Sequence, residues 1–317
     1  FATGLAMFSM FFGAGNVVFP LALGQLSQDN NFFALVGLLI TAVGVPFIGL
    51  IAMTLFDGQY RHFFERIGKT PGFIVSAIIM AVLGFGALPR CIALSYSTAE
   101  TYIPHISLTT FSIVSCIIIF LFTFRRNSII EILGYVLTPF LLISLGVIIV
   151  KGLIDSPGAP VAEIKPLTAF LHGFNEGYQT MDLLGAFFFS SVVLTCLKEQ
   201  AGKNDEKKPS SLIKQTLKAS CIGASLLSLI YIGFSYVAAF NSEALKGASA
   251  ETLINSISHI VLGPYAGFIV CVAVALACLT TAIALASVFA EYIHEDLTQF
   301  KVSYVTSLAV TLIITAC

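Results

Sequence analysis

Apolar residues fill long stretches of this chain, and charged residues collect in the gaps between them. Such stretches predict membrane-spanning helices, since a hydrocarbon core of about 30 Å takes roughly 20 apolar residues to cross. Nine segments result. The first runs from about Phe1 to Gly24, the second from Phe32 to Phe56 and the third from Gly72 to Tyr102. The fourth covers Leu108 to Phe124, the fifth Ile129 to Val150 and the sixth Pro166 to Leu197. The seventh spans Leu212 to Phe240, the eighth Ile260 to Ile293, and the ninth begins near Val302. The amphipathic stretch Tyr60 to Ile67 is expected on the inner membrane surface or under the bundle.

Two segments depart from the pattern. Within segment one, Phe8 to Pro20 holds Gly13, Gly15, Asn16 and Pro20, a poor composition for an unbroken helix. Irregular backbone at membrane depth is tolerated only where it lines a cavity or is buried in protein. In segment six, Gly173, Glu176, Gly177, Thr180 and Asp182 precede a clean apolar run, Leu183 to Leu197. Those fifteen residues make about 22 Å of helix, too short to span. Segment six is therefore expected as two half-helices joined near Gly177 to Asp182, with Asp or Thr capping the second half. The two interrupted segments lie five apart, so the second set enters the membrane from the opposite side. That is the pattern of a five-plus-five inverted repeat with broken helices one and six, whose half-helix ends hold ligand near the midplane. The alternative is that both are glycine kinks serving close helix packing.

Composition agrees with a membrane setting: 57% of the 317 residues are hydrophobic and 10% charged, against about 25% charged in soluble domains. Twelve of the sixteen basic residues fall in the hairpins after segments two, four, six and eight, which makes those loops and the N-terminus cytoplasmic. The seven cysteines are scattered in apolar runs and read as small core residues. The chain opens without Met and stops in an apolar run. Both ends are expected to be cut, leaving a single transmembrane domain of about nine helices with helix ten onward missing.

Candidate chemistry sits at three places. In segment eight, Ala277-Cys278-Leu279-Thr280-Thr281 sets two hydroxyls and a carbonyl in an apolar helix. Packed against the break in segment one, they suit a monovalent cation, although such threonines also simply bond their own helix carbonyls. Asp182 is a direct ligand, a proton carrier or a helix cap. Arg90, in Leu88-Pro89-Arg90, is placed in the outer part of the bundle, facing water or an acidic partner, or snorkelling without a role. No metal-ligand spacing, nucleophile elbow, Walker or Rossmann fingerprint occurs, so nothing points to an enzyme.

Phe8 to Pro20, Leu88-Pro89-Arg90, Gly177-Tyr178-Gln179-Thr180-Met181-Asp182 and Leu279-Thr280-Thr281-Ala282 resemble the bacterial branched-chain amino acid carrier family, the BrnQ-type sodium symporters of leucine, isoleucine and valine. The resemblance covers essentially the whole chain. It implies a LeuT-like fold in the bacterial plasma (inner) membrane and uptake by alternating access. It also implies a substrate site at Gly13, Ala14, Gly15, Asn16, Gly177, Tyr178, Thr180 and Asp182. Wider analogy to that fold places a sodium site at the carbonyls of Ser9, Phe12 and Ala277 and the hydroxyls of Thr280 and Thr281. Na+ would be the coupling ion, with no covalent cofactor, no nucleic acid and no obligate protein partner. Cys91 stands where the family carries a small hydroxylated residue. Rival readings are a proton-coupled or differently selective carrier of the same fold and, in another class, a channel or receptor-like membrane protein.

Overall fold

The computed structural model describes the chain except for residues 1, 101–102, 104, 125–134, 136, 162–163, 206–208, 249–251, 264–266 and 317. Among the described residues every regular element is a helix. Segment one is α1 (Ala2–Phe11) and α2 (Ala14–Ser27), interrupted at Phe12 and Gly13. A side chain at Gly13 would come within 2.9 Å of Thr281, so glycine lets segment eight pack against the break. Pro20 lies inside α2 and has no N–H for the Asn16 carbonyl one turn back, which loosens the helix just past the break.

A tight turn with Gln28 at φ 50° leads into α3 (Asn31–Leu39) and α4 (Val45–Thr54), joined by a widened π turn at Ile40–Gly44. That turn precedes Pro46, whose missing N–H removes a helix bond there. The short α5 (Tyr60–Phe64) lies under the bundle as its amphipathic pattern predicts, with Tyr60 against Phe188 at 4.6 Å and Phe63 stacked on Phe187 at 5.3 Å. Segment three is α6 (Lys69–Val82), a second π turn (Leu83–Ala87) and α7 (Leu88–Glu100). Then come α8 (Leu108–Thr123) and α9 (Thr138–Ile154). The expected start of segment five at Ile129 lies outside the described residues.

Segment six is two helices, α10 (Pro166–Gln179) and α11 (Asp182–Asp205), separated by Thr180 and Met181. Segment seven is α12 (Pro209–Phe240). The eighth segment corrects the expectation of one helix from Ile260. Ile260 belongs to a separate short helix, α13 (Leu253–Leu262), and the long helix α14 starts at Gly267 and ends at Tyr292. Gly263 adopts a left-handed φ of 71° immediately after α13, and Pro264 follows in the sequence. Glycine past a helix end followed by proline is a stop signal, and the apolar residues on both sides hid it. A π turn at Ile293–Leu297 then leads to α15 (Tyr304–Ala316).

Loop contacts sort the connections onto two faces, as alternating spans require. On one face, Arg61 and Tyr60 both engage Asp296, Lys198 pairs with Asp57 at 3.5 Å, and Tyr304 donates to the Thr123 carbonyl at 3.3 Å. Burial holds the Tyr60 hydroxyl far above its ordinary pKa, and Glu291 adds to the effect, so Tyr60 stays a donor to Asp296. On the other face, Asn30 donates to the Ile164 carbonyl at 2.8 Å and Gln25 to the Leu245 carbonyl at 2.6 Å. Between the faces, large apolar side chains such as Phe32, Ile48, Ile78, Leu121, Ile143 and Leu229 are exposed. Four continuous helical runs among the described residues are long and apolar enough to cross a bilayer. The chain is an all-α, multi-pass membrane protein.

Helix α10 packs on α3 through small residues. A side chain at Gly173 would strike the Ala34 carbonyl, one at Gly177 the Thr41 hydroxyl, and one at Gly37 the Phe170 carbonyl. Helices in lipid associate through such close approaches, because no hydrophobic force drives them together. Gly173→Leu is therefore expected to destabilise the protein by about 1–3 kcal/mol or more through overpacking against backbone. Gly146→Leu, where nothing lies within 4 Å, should leave stability unchanged. Thermal stability in detergent, read by size-exclusion chromatography, checks the pair.

Candidate functional site

The two breaks meet. The Asn16 amide, one turn into α2, donates to Asp182 Oδ2 at 2.6 Å and also to the Tyr231 hydroxyl, which in turn donates to Asp182 Oδ2 at 3.3 Å. Asn16 is 2% exposed, Asp182 6% and Tyr231 0%, so this is a fully desolvated polar cluster joining segments one, six and seven. Unpaired polar groups cost several kcal/mol in such surroundings, which ties the three residues to one arrangement. Capping at the second break falls to Thr180: its hydroxyl accepts from the Asp182 N–H at 3.4 Å and donates to the Gly177 carbonyl at 2.8 Å. The Asp182 carboxyl reaches across to segment one instead. Met181 between them is left-handed at φ 62°, a conformation that costs a non-glycine residue about 1–2 kcal/mol and clusters at functional sites.

A narrow cleft opens at this junction. Its lining joins polar side chains, Asn16, Thr180, Asp182 and Arg90, with apolar ones, Phe11, Leu83, Phe189 and Leu285. The first turns of both α2 and α11 line it, which brings the positive dipole ends of two helices to the cleft. Arg90, expected in the outer part of the bundle facing water or an acidic partner, or snorkelling without a role, is found on the cleft. It is half-buried, its guanidinium lies 4.8 Å from the centre of the Phe19 ring, and it lines the cleft with Asp182. Cys91, the departure from the family pattern, lines the same cleft and bonds both the Cys278 thiol and the Ala14 backbone.

The oxygen-rich corner forms in part. Thr281 donates to the Ser9 carbonyl at 3.3 Å, linking the end of α1 to α14, and its side chain abuts Gly13. Thr280 bonds the Ala277 carbonyl of its own helix at 3.0 Å. Both pairs are buried, and the Phe12 ring is fully enclosed, stacked on Phe8 at 5.2 Å. Neutral oxygens from a hydroxyl and helix-end carbonyls are donors of the hard type that a sodium ion takes. Among the sequence candidates, Gly13, Ala14, Gly15, Asn16, Thr180, Asp182 and Thr281 line the cleft together. Gly177 is turned against Thr41, and Tyr178 is 50% exposed with its ring edge-on to Phe174 at 5.4 Å; neither reaches the cleft. Tyr231 was absent from the candidates. Its signal was a hydroxyl in the middle of an apolar helix, which must find a partner when buried.

Comparison with known proteins gives the family. The sequence profile of a family described as branched-chain amino acid transport protein matches residues 1–317. The branched-chain amino acid permease BrnQ of Bacillus subtilis is 33% identical over 325 residues, covering 98% of this chain and 72% of that protein. A putative branched-chain amino acid carrier protein of Staphylococcus epidermidis is 30% identical over 335 residues, covering 98% and 74%. One from Staphylococcus aureus is 31% identical over 323 residues, covering 95% and 70%. These relatives are named as a permease and carriers, transport proteins and not enzymes. On the match of its whole length and on these relatives, the chain belongs to the branched-chain amino acid transport protein family.

Proposed function

We propose that this protein imports leucine, isoleucine and valine across the bacterial plasma membrane by sodium symport with alternating access. The observation that carries the reading is the cleft between the two broken helices, whose lining holds both charged side chains and aliphatic and aromatic ones. A branched-chain amino acid has the same division: a zwitterionic head and a compact apolar side chain. The head would sit against the breaks at Gly13 to Asn16, Thr180 and Asp182, and the side chain against Phe11, Leu83, Phe189 and Leu285. Burying a Val or Leu side chain there is worth about 1.5–3 kcal/mol. Ser9, Phe12, Ala277, Thr280 and Thr281 would hold the ion, whose charge at the negative end of α1 supports binding next door.

Interrupted helices five segments apart support a LeuT-like inverted repeat in which segments one, two, six and seven rock against the remainder. The concentration of Lys and Arg in one set of loops supports a cytoplasmic N-terminus. The buried Asp182 carboxyl favours one rival, a proton-coupled carrier of the same fold, since titratable groups at membrane depth often carry protons.

Leucine uptake by the full-length protein in proteoliposomes separates the two. A sodium gradient alone should drive accumulation and a proton gradient alone should not; the reverse result would move coupling to Asp182. Thr281→Ala is expected to raise the sodium concentration for half-maximal uptake about tenfold, equivalent to about 1.4 kcal/mol of ion binding. An unchanged sodium dependence would remove Thr281 from the ion site. Gly15→Leu should abolish leucine binding while the protein still reaches the membrane, because a side chain there already meets Phe19 at 3.1 Å. Uptake at the normal rate in that variant would place the substrate elsewhere.

A further inference from the structure

We propose that Arg90 is the group that binds the carboxylate of the transported amino acid, across the cleft from Asp182, which takes the ammonium group. The inference rests on the amino acid carrier reading above and adds to it a residue from segment three, outside both broken helices.

Arg90 is a guanidinium at membrane depth with no hydrogen bond or ion pair among the described residues. It is held instead by the face of the Phe19 ring, whose centre is 4.8 Å away. Stacking of that kind supports the flat side of a guanidinium and leaves its edge of N–H donors free. Phe19 is itself packed near Gly15, so the ring that carries Arg90 is part of the first break. In the same cleft, Asp182 Oδ2 receives the Asn16 amide and the Tyr231 hydroxyl, both neutral donors. No cation pairs with it among the described residues. Two unlike charges thus line one cleft, and no ion pair joins them. Each is costly to leave uncompensated in an apolar setting. A ligand carrying both charges a short distance apart neutralises the two at once.

The chemistry of the lining also says which end goes where. Among the side chains that line the cleft, Arg90 alone offers a carboxylate the paired, fork-like donors that such groups take best, and Asp182 alone is an acidic partner for an ammonium group. With the head clamped between them, the side chain is directed to Leu83 and Leu285, on the same two segments that carry Arg90 and Thr281. A carboxylate within electrostatic reach of Arg90 is Glu176 near the end of α10, which also feels His172. If Glu176 were the true partner, Arg90 would serve to hold α10 and not the substrate.

The test is displacement of radiolabelled leucine from the purified full-length protein in detergent by two competitors. One is unlabelled leucine and the other is 3-methylbutylamine, which is leucine without its carboxylate. Arg90→Gln should weaken leucine about 30-fold or more and leave the amine within about twofold. The wild-type preference for leucine over the amine then collapses. Retained binding of the amine shows that the variant is folded. Should Arg90→Gln fail to fold, Arg90→Lys keeps the cation without the fork and should still lose part of the same preference, with the amine unaffected. Glu176→Gln should leave the preference intact. Equal weakening of leucine and amine in the Arg90 variants, or no weakening, overturns the assignment while the carrier reading stands. Loss of the preference in Glu176→Gln also overturns it. Absence of leucine binding by the wild-type protein removes the carrier reading and this inference together.

Discussion

The hydrogen bonds that Asp182 accepts from Asn16 and Tyr231 are the constraint on which the rest of this structure depends. A carboxyl group in the middle of a membrane protein has no water to fall back on, so its partners must come from the chain itself. Here they come from segments one and seven, and each is on a helix that must be in register for the cluster to form. Helix α2 starts at Ala14, which puts Asn16 in its first turn; α11 starts at Asp182. Had either helix continued through its break, the two groups would have been carried around the helix and away from each other. The same contact therefore selects the interrupted backbone over an unbroken span.

Around that cluster, small residues set the distances. Gly13 admits α14 to the first break, Gly173 and Gly177 admit α3 to α10, and a side chain at Gly24 would run into the Ser235 carbonyl on α12. Part of the glycine pattern near the two breaks is therefore packing, as the alternative reading held, and part lines the cleft: Gly177 is of the first kind and Gly15 of the second. The distinction is one of direction. Both residues lie within a few positions of a break, but one faces a neighbouring helix and the other faces the cleft.

The cleft is assembled from elements that belong to different parts of the bundle. Segments one and six contribute Asn16, Thr180 and Asp182 together with Phe11 and Phe189, and segments three and eight contribute Arg90, Leu83, Leu285 and Thr281. In the proposed function a molecule bound there would touch both groups, so its binding would be coupled to their relative position. A site confined to one helix pair would have no such leverage. On the loop face that carries Arg61, Lys198 and Lys301, Asp296 ties the end of segment eight to α5, so the far end of α14 is anchored as well.

The apolar runs of the sequence by themselves determined the all-helical membrane class, because a span is a local property: composition over about twenty residues decides it. Both breaks were legible for the same reason, since Gly13, Gly15 and Pro20, or Gly177 and Thr180, act on the backbone where they stand. So was the family, whose motifs are contiguous. Other features were decided only by tertiary structure. The sequence left Arg90 without a named neighbour until the fold put Phe19 under it and Asp182 in the same cleft, and it did not single out Tyr231. Tyr178 lies next to the second break in sequence and still points away from the cleft. The end of α13 at Gly263 was hidden because a stop signal between two apolar runs resembles an interior kink. Side-chain direction and cross-chain partners depend on how helices rotate and pack, and no local window of sequence contains that information.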